Sequence, residues 1–140
     1  MGVVENLLEI KENIERALIR SGRKDNVKLI AVSKSVPEER MLEAYQAGQR
    51  AFGENRVQEW QKKSKDLPAD CEWHIIGRLQ TNKVKYLDKS VALIHSLDRF
   101  SLLEKLNTEG EKKQIVWNTL VQVNVAQDEA KAGPAVEEVK

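Results

Sequence analysis

The chain has 140 residues, room for one domain and a moderate core. Hydrophobic residues make up 41% of it, which excludes a disordered chain. Its 23 basic and 22 acidic residues are mixed along the sequence and leave a net charge of +1, which excludes a general field for nucleic acid or anionic lipid.

Residues 3 to 20 carry Leu7, Ile10, Ile14 and Leu18 at steps of three and four, the spacing of an amphipathic helix with one buried stripe. Ser21-Gly22-Arg23 ends it. Glu5, Glu9 and Lys11 interrupt this opening stretch, so it reads as neither a signal peptide nor a membrane span. Residues 27 to 33, VKLIAVS, form a short apolar run rich in β-branched residues, a buried strand. Ser35, Pro37 and Glu38 then mark a helix start, with Ser35 as cap and Glu38 reaching back to it. That helix carries Met41, Leu42 and Tyr45, and Gly48 follows its end.

The cycle repeats. RAFGEN (50–55) reads as a strand, and the segment from Val57 to about Lys65 as a helix. EWHIIG (72–77) is a third strand, followed by a helix from about Thr81 to Leu87. VALIHSL (91–97) is a fourth, and Asp98 caps a helix that buries Phe100, Leu103 and Leu106 and stops at Gly110. WNTLVQVNV (117–125) is a fifth, and DEAKAGPAVEEVK (128–140) reads as a loop and the start of a helix. Strands alternating with helices make an α/β fold of right-handed βα units on a parallel sheet. The pattern leaves two closures open: a doubly wound sheet, or part of an eight-stranded barrel. No repeat, low-complexity tract or linker divides residues 1–140, which read as a single domain.

Ligand sites of parallel α/β folds lie at the C-terminal ends of strands, and Lys34 stands there in LIAVSKS (29–35). It shares a face with Val32 and Ile30. Partial desolvation at an apolar lumen would favour its neutral amine, which can attack an aldehyde to give a Schiff base. A solvated lysine or an ion-pair member is the plain alternative. In FGEN (52–55), Gly53 permits close approach, and Glu54 and Asn55 are expected at the same mouth. There Glu54 would pair with a cation, and Asn55 would hydrogen-bond a ligand oxygen or cap the next helix.

The loop after the third strand carries Arg78, Gln80, Asn82, Lys83 and Lys85, either an anion-facing edge or a solvated basic face. His74 and His95 stand among apolar neighbours without metal-ligand spacing and read as core or mouth residues. Cys71 is alone, which excludes a disulfide framework within the chain and fits a reducing, cytoplasmic setting. Gln122 and Asn124 alternate with valines on the fifth strand and need partners, from a polar lumen or from neighbouring strands. Phosphate-binding glycine motifs and a G-x-S-x-G elbow are missing.

LIAVSKS, FGENRVQE, WHIIGRLQTNKVK, IHSLD and LVQVNVAQDEAKAG, in this order and spacing, resemble the pyridoxal-phosphate homeostasis proteins from about Leu7 to Gly133. The resemblance implies a TIM-barrel-like parallel (β/α) fold, like the N-terminal domain of alanine racemase, here truncated after about five strands. It implies a cytoplasmic, non-catalytic protein of vitamin B6 and amino-acid balance that holds pyridoxal 5′-phosphate (PLP) as a Schiff base on Lys34, with Asn55 near the cofactor. Implied partners are PLP and PLP-dependent apo-enzymes, with no nucleic acid, membrane or metal. Arg56 departs from the pattern, since an aromatic commonly follows FGEN. Members of the family continue for roughly another 80 to 100 residues that close the barrel. Those residues supply glycine- and serine-rich phosphate loops and an arginine near the pyridine nitrogen, so weak binding and marginal stability are expected of these 140 residues alone. The alternatives are a racemase-like PLP enzyme, which needs a second acid/base group, and a shortened product with little cofactor binding.

Overall fold

Helix α1 (Val3–Ser21) leads, and four strands each deliver the chain to a helical segment. Strand β1 (Ala31–Val32) precedes α2 (Glu38–Gln46), and β2 (Ala51–Glu54) precedes α3 (Val57–Asp66). Strand β3 (Glu72–Ile75) precedes a 3₁₀ helix (Thr81–Tyr86), and β4 (Val91–Leu97) precedes α4 (Phe100–Lys113). Strand β5 (Thr119–Val121) and a short 3₁₀ turn (Val136–Glu138) follow. This computed structural model describes residues 2–139.

All five strands lie in one sheet in the order β1-β2-β3-β4-β5, each pair parallel. Doubly wound sheets reverse their strand order at a switch point. This sheet does not reverse, which is consistent with the barrel-type closure.

The period of two along each strand sorts the side chains onto two faces. Phe52, Trp73, Ile75 and Ile94 join Met41, Trp60, Leu79, Val84, Leu87, Leu102 and Leu106 in one core between sheet and helices. Burying side chains of this size contributes about 1.5–3 kcal/mol each. Ile30, Val32, Gly53 and Ile76 hold the alternate positions. A Cβ on Gly53 would lie 3.2 Å from both Ile30 Cγ2 and Ile76 Cδ1, so these residues share the opposite face. At the β1 edge that face is open, with Val32 54% exposed, whereas His74, opposite Gly53, is buried.

Several elements differ from the sequence reading, each for a tertiary reason. β1 is short because it has a neighbour on one side only, β2, with Ala31 opposite Phe52 and Val32 opposite Gly53. On α1 only Leu7 is fully buried and Ile10 is exposed, since this helix rests mainly on α2 rather than on the sheet. The first residue before α2 is Pro37, with no side-chain cap, and Glu38 pairs with Lys62 at 3.1 Å instead of reaching back to Ser35. Gly48, at φ 100°, does follow the end of α2 as expected.

Helix α4 turns a different face inward. Leu102, Leu106, Glu109 and Gly110 are buried, whereas Phe100 is 80% exposed and Leu103 is exposed. Apolar residues at 100, 102, 103 and 106 are compatible with either face, and contact with the 3₁₀ helix Thr81–Tyr86 selects one. The helix does not stop at Gly110. It runs to Lys113 and ends on Gln114 in the left-handed region at φ 56°. Gly110 instead makes room for the returning chain: a Cβ there would lie 2.7 Å from the Ile115 carbonyl oxygen and 3.1 Å from Trp117 Nε1. The Trp117 indole donates to the Leu106 carbonyl at 2.9 Å. Asp98 does not cap α4, because Arg99 holds that position and bonds the Asp98 carboxylate.

Candidate functional site

Lys34 lies in the turn between β1 and α2, at the C-terminal end of the sheet. Ser33 N–H donates to the Gly53 carbonyl at 2.9 Å, so pairing with β2 continues to the residue before Lys34. Val32 is opposite Gly53, and Lys34 and Asn55 each stand two residues further on. Lys34 and Asn55 thus follow the C-terminal ends of two neighbouring, paired strands, Lys34 in a turn closed by the Val36 N–H to the Ser33 carbonyl at 3.0 Å. The expected shielding of the Lys34 amine is not found. Lys34 is exposed, in the turn beyond the edge strand β1, and it makes no ion pair or hydrogen bond among the described residues.

Asn55 is half-buried and does not cap α3, whose cap position is Arg56 without a side-chain bond. Its carboxamide is free of protein hydrogen bonds among the described residues, which removes capping as its explanation. Gly77 backs this position closely: a Cβ there would meet Asn55 Cα at 2.9 Å, its carbonyl oxygen at 2.9 Å and its Cβ at 3.0 Å. Ile76 N–H donates to the Glu54 carbonyl at 3.0 Å and ties the end of β3 to the end of β2.

Glu54 is not at the mouth. Standing one residue before Asn55, it takes the opposite face of the sheet and is fully buried toward the helices. Its cation is Lys63 on α3, which sequence reasoning missed. Lys63 Nζ donates to Glu54 Oε1 at 2.8 Å, to Glu59 Oε1 at 2.7 Å and to the Ser33 carbonyl at 2.6 Å. Ser33 Oγ donates to Glu54 Oε1 at 2.7 Å, and Ser35 N–H to Glu59 Oε1 at 2.7 Å. Burial alone would lower the Lys63 ammonium, but its hydrogen bonds to the two carboxylates outweigh that and hold it above the usual lysine range. The Lys63 bond holds Glu59 below the usual carboxylate range, against burial and with help from Ser35 N–H. The only local signal in the sequence was the Glu59–Lys63 spacing of four on a helix.

Part of the basic segment does face this region. Arg78, Gln80 and Lys83 line a cleft with Asn55, Arg56, Val57 and Gln58. Asn82 and Lys85 are exposed and lie outside it. Arg78 Nε is 3.6 Å from Asp98 Oδ2, which offsets part of the cleft's positive charge.

His74 Nδ1 and His95 Nε2 are 3.0 Å apart, so the two imidazoles share one hydrogen bond. Burial pushes both below the ordinary histidine value, and for His74 the nearby Glu72 carboxylate opposes it. Glu72 is itself held by Lys28 Nζ at 2.6 and 2.8 Å. The polar residues after β5 find partners in their own following loop rather than in a lumen. Gln122 Nε2 donates to the Ala132 carbonyl at 3.0 Å, and Asn124 Nδ2 to the Asp128 carbonyl at 2.8 Å. Among the described residues no three His, Cys, Asp or Glu side chains gather as metal ligands, and no helix is long and apolar enough to cross a membrane.

No protein-family model matches the chain. It is 47% identical over 142 residues to a protein from Aquifex aeolicus (strain VF5) named pyridoxal phosphate homeostasis protein, covering 100% of this chain and 62% of the relative. A solved structure of PipY from Synechococcus elongatus PCC7942, with PLP bound, superposes with a TM-score of 0.72 at 37% identity, over 95% of this chain and 58% of that one. A solved structure of an unknown protein from Bifidobacterium adolescentis superposes with a TM-score of 0.84 at 28% identity, over 94% of this chain and 58% of that one. The chain spans about three-fifths of the length of the curated relatives it matches.

Proposed function

As a homologue of the pyridoxal phosphate homeostasis proteins along its whole length, this chain, we propose, is a PLP-binding protein of vitamin B6 and amino-acid homeostasis. Its attachment point is Lys34 Nζ, and it carries PLP rather than turning over a substrate. The architecture read with this is a single domain of a TIM-barrel-like fold, to which this chain contributes five parallel strands. The cofactor supplies an aldehyde carbon with which a primary amine condenses as water leaves.

The residues present fit that group. Lys34 offers a primary amine without a partner among the described residues, at the strand ends where ligands of parallel sheets sit. Asn55, with its carboxamide unspent, stands at the adjacent strand end and can bond a ring or aldehyde oxygen. Gly53, between Ile30 and Ile76, leaves the sheet surface flat beneath them. The single observation that supports the reading is the pairing of Val32 with Gly53, since Lys34 and Asn55 each follow two residues later along the chain.

Exposure of Lys34 to water favours hydrolysis of any carbonyl adduct, so these residues alone hold PLP loosely. In this reading, PLP released so readily passes to PLP-dependent apo-enzymes in the cytoplasm. Absorbance titration with PLP, then borohydride reduction and peptide mapping, tests the assignment. The expected label is on Lys34 and disappears in Lys34→Ala. A label of equal yield in that variant would overturn the assignment.

A further inference from the structure

The turn that carries Lys34 is held on both sides by one buried cation. Lys63 is 3% exposed and Glu54 is 0% exposed. The Lys63 ammonium has three N–H donors, and all three are used, on the Ser33 carbonyl and on Glu54 and Glu59. Ser33, before Lys34, is thereby tied at its carbonyl by Lys63 and at its hydroxyl by Glu54. Ser35, after Lys34, is tied at its N–H by Glu59, which Lys63 also holds. Ser35 is a non-glycine residue at φ 60°, a left-handed conformation that the surrounding bonds must maintain.

We propose that Lys63 is a positioning residue for Lys34, using Glu54 and Glu59 to clamp the backbone on either side of it and so aim the Lys34 amine. The proposal deepens the PLP reading and rests on Lys34 being the attachment point. Stability is a weak reason for such a group. Well-packed neutral side chains of similar volume often replace a buried ion pair at no loss, whereas removing one partner alone strands a charge. A neutral replacement therefore separates positioning from core filling.

The test uses the double variant Lys63→Met with Glu54→Gln, which removes both buried charges at similar volume. The second variant, Glu59→Ala, frees the Ser35 N–H without stranding a fully buried charge. Amide hydrogen exchange is read over 33–36 and over β3 as an internal reference. PLP capture at Lys34 is read by borohydride reduction, and reductive methylation of Lys34 is read against exposed Lys24.

The clamp predicts that exchange over 33–36 rises at least fivefold in the double variant, and in the same direction in Glu59→Ala, while β3 is unchanged. It predicts a PLP capture rate at Lys34 about tenfold lower, with methylation of Lys34 relative to Lys24 unchanged, because a small reagent needs no aim. Unchanged exchange over 33–36 in both variants would overturn the clamp. Faster exchange with an unchanged PLP capture rate would overturn the positioning role. If wild-type Lys34 captures no PLP at all, the cofactor reading fails and positioning for PLP fails with it, and the exchange result then decides separately whether the clamp exists.

Discussion

Replacing Gly77 by alanine presses directly on Asn55. The new Cβ would stand 2.9 Å from both the Cα and the carbonyl oxygen of Asn55, and 3.0 Å from its Cβ. Relaxed carbon–carbon contacts lie near 3.5–4.0 Å, so the two strand ends must separate by roughly 0.5–1 Å. The neighbouring atoms are mostly backbone, tied by the Ile76-to-Glu54 bond at 3.0 Å, and cannot swing aside like a flexible side chain. Overpacking of this kind costs about 1–3 kcal/mol. At roughly 4 °C per kcal/mol for a chain of this size, the melting midpoint falls by about 4–12 °C. Circular dichroism melts supply the assay, with PLP capture at Lys34 measured well below the midpoint. Capture should also fall, since Asn55 moves relative to Lys34. A midpoint within 1–2 °C of wild type would refute the steric argument. A lowered midpoint with unchanged capture would refute the link between Gly77 and the site.

Burial, and then the nearby Asp70 carboxylate, push the Cys71 thiol up to about 11, so Ellman's reagent at pH 8 should label native Cys71 much more slowly than denatured protein. Equal rates would contradict its burial. His74 and His95 are held by burial below the ordinary value of 6.5, so the unfolded chain binds protons first as pH falls. Their contribution to stability is full above pH 6.5 and is lost as pH falls through the folded values. Urea midpoints from pH 7.5 to 5 should decline, and less steeply in His74→Gln; an identical slope would exclude this source. Leu102→Ala empties a fully buried position on α4 and should cost about 2–5 kcal/mol, whereas Phe100→Ala, at an exposed position, should cost less than 1 kcal/mol by chemical denaturation.

The alternation of strands and helices was legible because each segment carries its own period. RAFGEN, EWHIIG and VALIHSL all became strands within a residue or two of their expected bounds. Boundaries failed where a neighbour was missing or a competitor present. VKLIAVS shrank to Ala31–Val32 at a sheet edge, and the capping pair Ser35/Glu38 was broken because Glu59 took the Ser35 N–H and Lys62 took Glu38. Glu54 and Asn55 were read as one pair at one mouth, although a strand must send successive side chains to opposite faces. That rule was available from the sequence and would have separated them.

The linear order of residues determined the βα rhythm, the placing of Lys34 and Asn55 at strand ends, and the charge balance, because those depend on near neighbours alone. Only the folded chain decided which face of α4 turns inward, that His74 meets His95, and that Lys63 reaches back 30 positions to hold Ser33. The physical reason is that periodicity states how polarity varies along an element, whereas burial and pairing depend on which other element covers it. Strand register, a property of two segments at once, set Val32 against Gly53 and so put the segments that carry Lys34 and Asn55 side by side.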